Sequence, residues 1–195
     1  MKKSLLRVCA MLVAALLFTA CTQKKNGALP TGKVESQTPD QSLEDEYNKE
    51  VQNMDGKPIP EIMLERPDGS KVSIKSLQGK YTYIDVWATW CGPCCKEIPF
   101  LEKLVEDMKD NTKLQFVSLS MDSDREAWMA KLEKDKPAWA QFILDAEASM
   151  ILSEALAITG IPRFFVLGPD GTVLNQDTQR PSNPELVEYL NELTK

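Results

Sequence analysis

The sequence predicts an α/β fold, a three-layer sandwich in which helices cover both faces of a central mixed β-sheet. Short apolar segments typical of strands alternate along the chain with amphipathic segments typical of helices. Two pairs of strand-like segments are joined by Pro-Asp-Gly turns, which indicates hairpins. Alternating strands and helices that end in a hairpin are typical of a mixed sheet between two helical layers.

The composition limits the possible classes of function. With 195 residues the chain has room for one domain of ordinary size and a short appendage. A net charge of -6 argues against a nucleic-acid-binding surface, which is usually basic. The sequence has no histidine, which excludes Ser-His-Asp and Cys-His catalysis, zinc sites that need histidine, and C-x-x-C-H haem attachment.

Residues 1–20 have the pattern of a secretory signal peptide. Basic residues precede a short apolar run (8–18), and small residues follow it. The run is shorter than the ~20 residues of a membrane-spanning helix, and an uncleaved anchor is the alternative. Phe18-Thr19-Ala20-Cys21 resembles the lipobox of bacterial lipoproteins, which implies cleavage before Cys21 and lipidation of that cysteine. By the same resemblance, Thr22 favours the outer membrane.

A polar tether is predicted over residues 21–54, before a folded domain over residues 55–195. The residues up to position 41 are interrupted by Gly and Pro and show no apolar period. Ser42 can cap a short helix. The apolar residues of that helix, which would pack on the domain, are Leu43, Tyr47, Val51 and Met54.

The domain is predicted to begin with a hairpin, a strand and a helix. The hairpin covers residues 62–74 and turns at Pro67-Asp68-Gly69. Residues 81–87 form a nearly continuous apolar and aromatic run, as expected for a strand covered on both faces. A helix should then run from Cys91 to about Met108. Its inner side would be formed by Leu101, Leu104, Val105 and Met108.

Two further strand–helix pairs are predicted. Strand 114–120 precedes a charged amphipathic helix, Asp124–Lys134. Strand 141–144 precedes a helix that Asp145 caps and that ends near Gly160. The apolar residues of that second helix are Met150, Ile151, Leu152 and Leu156.

A second hairpin and a final helix complete the domain. The hairpin joins strands 164–167 and 172–174 through Pro169-Asp170-Gly171. The helix begins at Asn183-Pro184-Glu185, where proline in the first turn is favourable. Its inner residues are Leu186, Leu190 and Leu193.

Cys91, Cys94 and Cys95 are clustered, and their use has to be inferred from their surroundings. A structural disulfide is a poor interpretation, because a bridge from Cys91 to Cys94 closes almost no loop. A structural zinc site is disfavoured, since there is one C-x-x-C pair and no histidine. Copper(I) accepts two thiolates, so a metal chaperone stays an alternative. Thiol–disulfide exchange fits best.

Exchange fits because Cys91 stands where a helix is predicted to begin. Its sulfur there faces unpaired backbone N–H groups and the positive end of the helix dipole, which stabilise the attacking thiolate. Pro93 costs no hydrogen bond at this position. Cys94, three residues on, lies on the same face of the helix and can displace a mixed disulfide.

The pattern D-x-W-A-x-W-C-G-P-C, from Asp85 to Cys94, resembles the active site of thioredoxin. Pro99 matches the proline that kinks the family's active-site helix. Gly160-Ile161-Pro162 matches the loop whose cis-proline lies against the redox pair. The likeness covers about residues 55–195 and implies a thioredoxin fold.

Three features distinguish the chain from thioredoxin itself. They are the extra N-terminal hairpin, the inserted helix–strand segment 124–144 and the lipoprotein signal. All three are similar to the exported, membrane-tethered reductases of the TlpA/ResA type.

The resemblance implies roles for the residues of the site. Cys91 is the nucleophile, Cys94 resolves the mixed disulfide, and Pro162 forms the cis-proline loop. No cofactor or metal ion is implied. The residues that would dock a substrate protein are Trp90, Gly92, Pro93 and Ile161.

Asp85 is predicted to be the proton acceptor. It interrupts an apolar strand, where burial of the carboxylate is costly and should raise its pKa. A carboxyl group that titrates near neutral pH can take the proton from Cys94. In thioredoxin the matching aspartate is the buried acid–base group, whereas many exported relatives have a non-ionisable residue. The alternative is an aspartate on an edge strand that faces water.

Three positions depart from the thioredoxin pattern. The lysine near the buried acid maps to Ser118. Arg163 follows the cis-proline in place of the common threonine, either as a cation beside the site or as a solvated surface residue. Cys95 is predicted to be an exposed thiol at the rim of the site. Trp87 is expected in the core.

The resulting hypothesis is a lipid-anchored protein-disulfide reductase in the periplasm of a bacterial envelope. The Gly-Pro dipeptide is that of thioredoxin, whose potential of about -270 mV lies far below the about -120 mV of the oxidant DsbA. By analogy its substrates are disulfide-containing exported proteins, and its electron donor is a membrane protein of the DsbD/CcdA type. The alternatives are a disulfide oxidase or isomerase and, from another class, the copper chaperone.

Overall fold

The computed structural model describes residues 53–195. The predicted signal peptide (1–20), the lipid site at Cys21 and the tether (21–54) with its short helix lie outside the described residues, apart from the last two tether positions. One of these, Met54, is buried in the main core. Among residues 53–195 no helix is long and apolar enough to cross a membrane.

The described part of the chain contains seven strands and four α-helices, together with a 3₁₀ helix at Ile74–Leu77. The strands are β1 (Met63–Glu65), β2 (Lys71–Ser73), β3 (Tyr81–Trp87), β4 (Leu114–Ser120), β5 (Ala140–Ile143), β6 (Arg163–Leu167) and β7 (Val173–Asn175). The helices are α1 (Gly92–Asp107), α2 (Arg125–Asp135), α3 (Ala146–Ala155) and α4 (Glu185–Leu193).

The strands form one mixed sheet in the order β2-β1-β5-β4-β3-β6-β7. Strands β3, β4 and β5 are parallel, and the remaining neighbours are antiparallel. The extra hairpin β1–β2 continues the sheet beside β5, which belongs to the predicted inserted segment. The two predicted additions to the fold are therefore neighbours at one edge of the sheet.

Side chains alternate along the central strand and so build a core on each face of the sheet. Tyr83 packs in one hydrophobic cluster with residues of α1 and α4, among them Leu101 and Leu186. Its neighbour Ile84 packs in a second cluster with residues of α3. This alternation is the two-residue period of a β-strand. The predicted α/β sandwich around a mixed sheet is confirmed.

Both Pro-Asp-Gly turns are present. Gly69 and Gly171 have φ angles of 83° and 85°, a conformation that residues with a Cβ rarely adopt. These two glycines therefore allow the tight reversals that the sequence predicts.

The predicted end of α3 is wrong. The helix ends at Ala155 and not near Gly160, because Ala157 adopts a left-handed conformation with φ 49°. The N–H of Ile158 then bonds the carbonyl of Ser153 and closes the end of the helix. Of the apolar residues listed for this helix, Met150 is 56% exposed, whereas Leu152 and Leu156 are fully buried.

Helix α2 follows its predicted boundaries closely. Asp124 caps it by accepting from the N–H groups of Glu126 and Ala127. Trp128 is the one fully buried side chain of this helix. Met129 and Leu132 are partly buried and pack in the same hydrophobic cluster, so three apolar side chains hold this helix on the domain.

Candidate active site

The Cys91 sulfur occupies the N-terminus of helix α1. Strand β3 ends at Trp87, and the helix begins at Gly92, so Cys91 is the N-cap residue and not, as predicted, the first residue of the helix. Its Sγ accepts a hydrogen bond of 3.1 Å from the backbone N–H of Cys94. Pro93 stands in the first turn, where its missing N–H is not needed.

Cys91 and Cys94 form a disulfide in the structure. Their Cα atoms are 5.2 Å apart, and the two residues are 5% and 2% exposed. The pair of residues that the sequence singles out is therefore close enough to cycle between dithiol and disulfide.

The loop before strand β6 lies against the redox pair. The Ile161–Pro162 peptide bond is cis, as the resemblance implies. The carbonyl oxygen of Ile161 is 3.7 Å from the Cys91 Sγ. A third element thus joins the end of β3 and the start of α1 at this site.

Asp85 is buried in the middle of strand β3. It is 5% exposed, and Ser118 Oγ donates a hydrogen bond of 3.0 Å to its Oδ2. Burial raises the pKa of Asp85 to about 7; the Ser118 hydrogen bond opposes this shift, and the negative charge of Glu97 adds to it. The alternative of an aspartate facing water is wrong, because β3 is a central strand covered on both faces.

A different polar side chain, that of Ser118, occupies the position of the family's lysine. Ser118 lies directly opposite Asp85 in the parallel register of β3 and β4. Its Oγ also accepts a hydrogen bond of 2.8 Å from the indole nitrogen of Trp139. The indole therefore orients the serine hydroxyl toward the carboxylate. Trp139 was not predicted from the sequence, since nothing in its local pattern connects it with Asp85.

Asp122 is a second buried carboxylate at the site, and it was missed by sequence reasoning. It is 3% exposed and follows the end of strand β4. Its oxygens accept hydrogen bonds from the N–H and the hydroxyl of Thr89 and from the hydroxyl of Ser120. Asp122 therefore anchors the turn that leads into Cys91. The only feature of the local sequence that indicates this role is the position of Asp122 two residues after Ser120, the last residue of strand β4.

Removing this anchor should destabilise the fold. Replacing Asp122 with alanine leaves the buried hydroxyl of Ser120 and the partly buried N–H and hydroxyl of Thr89 without their acceptor. We expect a loss of about 2–3 kcal/mol in the free energy of unfolding. Urea unfolding measures this loss. The matched control is Asp110→Ala at an exposed position. Equal unfolding midpoints for the two variants would show that Asp122 does not hold the turn.

The predicted docking residues surround the redox pair at the surface. Trp90 is 70% exposed, whereas Trp87 is 3% exposed and belongs to the core, as expected. Gly92 and Pro93 are exposed in the first turn of α1. The indole of Trp90 is thus available for contact with another protein directly before Cys91.

Arg163 is not a solvated surface residue. Its side chain is 16% exposed and pairs with Asp177 at 2.7 Å. It also donates a hydrogen bond of 3.3 Å to the carbonyl of Ala157. The guanidinium therefore ties the segment before the cis-proline loop to the segment after β7.

Cys95 is half-buried, whereas the sequence predicted an exposed thiol. Its Sγ lies 3.7 Å from the carbonyl oxygen of Thr89. It lines a surface groove of about 290 Å³ between α1 and the end of α2, with Pro99 and Glu102 of its own helix. The side chain points back over the preceding turn of the chain, which partly covers it.

Comparison with known proteins agrees with this site. Residues 79–173 match the family described as thioredoxin-like. The curated thiol-disulfide oxidoreductase ResA of Bacillus cereus is 25% identical over 148 residues, which cover 76% of this chain and 83% of that protein.

Two solved structures from Bacteroides vulgatus, both assigned as thiol-disulfide oxidoreductases, are more similar in sequence. A solution structure is 38% identical, covers 74% of this chain and 92% of its own, and has a TM-score of 0.63. A crystal structure is 30% identical, covers 71% and 95%, and has a TM-score of 0.64. The chain therefore belongs to the thioredoxin-like family of thiol-disulfide oxidoreductases.

Proposed function

We propose that the protein reduces disulfides of exported proteins, with Cys91 as nucleophile, Cys94 as resolving cysteine and Asp85 as proton acceptor. The observation that carries this proposal is the position of Cys91 at the N-cap of α1, with the cis-proline loop against it and a buried carboxyl group in strand β3, which leads into the site. The remaining steps follow from the charges and hydrogen bonds around the two sulfurs.

In the first step the Cys91 thiolate attacks a substrate disulfide. The backbone N–H of Cys94, 3.1 Å from Sγ, and the dipole of α1 stabilise negative charge on this sulfur. A bond forms between Cys91 Sγ and one substrate sulfur, and the other substrate sulfur leaves as a thiolate. The cis-proline loop and the exposed Trp90 support docking of the extended substrate segment around this bond.

In the second step Cys94 resolves the mixed disulfide. Asp85 takes the proton of the Cys94 thiol, and the thiolate attacks Cys91 Sγ. The Cys91–Cys94 disulfide forms, and the second substrate sulfur leaves as a thiolate. Two electrons have passed from the protein to the substrate. A pKa of about 7 suits Asp85 to this task, because the group is then close to half-ionised at neutral pH.

The direction of electron flow is supported by the dipeptide between the cysteines. Gly92-Pro93 is the thioredoxin dipeptide, and strongly oxidising relatives use a histidine at this place, which this chain lacks. A reductase in an oxidising compartment has to be recharged. We infer a membrane electron donor of the DsbD/CcdA type.

The N-terminal sequence supports a place for the protein outside the cytoplasm. The proposed signal peptide (1–20) and lipobox cysteine (Cys21) would leave the domain on a tether (21–54) at the outer membrane. Labelling with radioactive palmitate tests this anchor, and Cys21→Ser should abolish the label. Incorporation of the label into that variant would contradict lipidation at Cys21.

A redox titration tests the direction of flow. We expect the Cys91–Cys94 pair to equilibrate with glutathione buffers at a potential near the about -270 mV of thioredoxin. Thiol alkylation followed by mass spectrometry measures the oxidised fraction, with Cys95→Ser as the control that removes the third thiol. A potential above about -180 mV would instead support the oxidase or isomerase alternative.

A further inference from the structure

A row of three polar side chains crosses the parallel strands β3, β4 and β5. Asp85 pairs in register with Ser118, and Ser118 pairs in register with Gln141. All three residues are buried. Because residues paired directly across adjacent strands point to the same face of a sheet, the three side chains form a polar strip inside the core.

A small cavity lies along this strip. It is lined by the three residues of the row, by Trp87, and by Lys131 and Asp135 of helix α2. Its volume is about 10 Å³, at the lower limit of the ~10–15 Å³ that one water molecule needs. The cavity is therefore suited to a single water molecule among polar groups.

Two polar atoms of the cavity lining point to such a ligand. The indole nitrogen of Trp87 and the Oε1 of Gln141 are buried and have no hydrogen-bond partner among residues 53–195. These residues are 3% and 8% exposed. One is a donor and the other an acceptor, and an unpaired buried group costs about 1–3 kcal/mol. Both residues line the same cavity as Asp85, so a water molecule held there would supply the missing partners beside the Asp85 carboxyl group.

The same cavity adjoins the surface groove beside Cys95. The two volumes share Lys131, Asp135 and Trp139 in their linings, as well as two apolar residues, Ile98 and Pro137. Lys131 and Asp135 form an ion pair, and both side chains are 25% exposed. These side chains therefore lie between the interior strip and solvent.

We propose that a water molecule held by Trp87 and Gln141, together with the Lys131–Asp135 ion pair, forms the path by which Asp85 exchanges its proton with solvent. The path leads from the cavity to the groove beside Cys95. It does not pass the surface at Trp90 that a bound substrate covers. Asp85 can therefore release its proton while a substrate protein still occupies the site.

This inference rests on the proposed function, in which Asp85 receives the proton of Cys94. Once the disulfide has formed, neither cysteine can take that proton back. The Asp85 carboxyl group gives its proton to the water, and the water gives one of its own to the Asp135 carboxylate. That proton then passes to solvent in the groove. Lys131 holds the Asp135 carboxylate at the boundary, and no electrons move in these steps.

Titratable and charged groups on several elements lie around Asp85. Tyr83 lies on the same strand, and its phenol is neutral at working pH because burial raises its pKa well above the usual value. Glu97 of α1 contributes negative charge. Lys131 and Asp135 of α2 contribute opposite charges across the cavity. The Cys94 thiol joins these groups in the reduced form.

Infrared difference spectroscopy after a pH jump tests the path in the oxidised full-length chain. The carboxyl signal of Asp85 is assigned by its loss in Asp85→Asn. We expect Gln141→Met, Lys131→Met and Asp135→Asn each to slow deprotonation of Asp85 by about a hundredfold, the lower end of the contribution of a positioned proton-transfer group. The controls are Lys134→Met and Glu133→Gln, at exposed positions of the same helix.

The equilibrium titration separates this role from a structural one. Lys131→Met should raise the pKa of Asp85, and Asp135→Asn should lower it, because the two variants remove opposite charges. Both should nevertheless slow exchange. Gln141→Met replaces the amide with an apolar side chain of similar size, so that it removes the acceptor without opening a large cavity.

The outcomes are distinguishable from those of the proposed function. Exchange rates in all three path variants equal to those of the controls would overturn the path, even if disulfide reduction proceeds normally. Failure of the wild-type chain to reduce disulfides would overturn the proposed function, while the pH jump would still report on the path. A high-resolution crystal structure should show a water molecule bonded to Trp87 Nε1 and Gln141 Oε1, and its absence would contradict the proposal.

Discussion

Replacing Cys91 with serine should abolish disulfide reduction, whereas replacing Cys94 with serine should allow one attack and then trap the mixed disulfide. Cys91 is the sulfur at the N-cap of α1, where the N–H of Cys94 and the helix dipole favour the thiolate. Serine at this position has a far higher pKa and is a poor nucleophile. Without Cys94, the mixed disulfide lacks its resolving thiol.

Turnover of insulin disulfides with a chemical reductant measures the first effect, and covalent adducts on non-reducing gels measure the second. Cys95→Ser is the matched control and should keep turnover, because Cys95 faces Thr89 and the groove and takes no part in the Cys91–Cys94 disulfide. Undiminished turnover by Cys91→Ser would contradict the mechanism. So would a Cys91 thiol that reacts with an alkylating reagent at neutral pH no faster than a free cysteine.

Replacing Asp85 with asparagine should stabilise the protein at alkaline pH and remove most of the dependence of its stability on pH between about 4 and 8. The folded-state pKa of Asp85 is raised to about 7 from a usual value of 3.8, mainly by burial. In this window the folded chain binds more protons than the unfolded chain, so the free energy of unfolding falls as pH rises. Over this window the wild-type chain loses about 4 kcal/mol in the free energy of unfolding, and the loss is complete above the folded-state pKa.

Urea unfolding at pH 4.5 and pH 8 measures this difference in the wild type and in Asp85→Asn. Asparagine keeps a group that can bond Ser118, so the variant tests the charge more than the packing. The control is Asp110→Asn, whose exposed carboxyl group should leave the pH dependence unchanged. An Asp85→Asn variant with the pH profile of the wild type would show that the buried carboxyl group does not titrate near neutral pH.

The same variant should impair the second chemical step and leave the first intact. Attack by Cys91 does not use the carboxyl group, whereas Cys94 needs a proton acceptor. A loss of initial reactivity at Cys91 in Asp85→Asn, with no accumulation of mixed disulfide, would contradict the assigned role. Stopped-flow measurements with a quenched disulfide substrate distinguish the two steps.

Most of the fold could be predicted because each element has a local signal. The apolar run that ends in Trp87 predicts a buried strand. The Pro-Asp-Gly segments predict turns, and these turns require the positive φ angles that Gly69 and Gly171 adopt. The end of α3 could not be predicted, because it depends on a left-handed residue at Ala157, a residue type that usually continues a helix.

The redox pair and the cis-proline loop were predicted through the C-G-P-C pattern and the family resemblance. The residues that support them were harder to recognise. Asp122 contacts Thr89 from 33 positions away in the chain, and Trp139 reaches Asp85 only through Ser118. No local pattern connects residues that meet through the register of parallel strands, because this register is set by the packing of the whole sheet.

The amino-acid sequence by itself determined the chemistry of this protein. It contains two cysteines at the start of a helix, a proline loop that matches the family's loop beside the redox pair, and one carboxyl group in an apolar strand. Only the tertiary structure decided the environment of that carboxyl group. It aligned Asp85, Ser118 and Gln141 across three strands, placed Trp87 beside them, and covered them with Lys131 and Asp135 from the inserted helix. Burial and hydrogen bonding depend on which distant segments meet, and they set the pKa of Asp85.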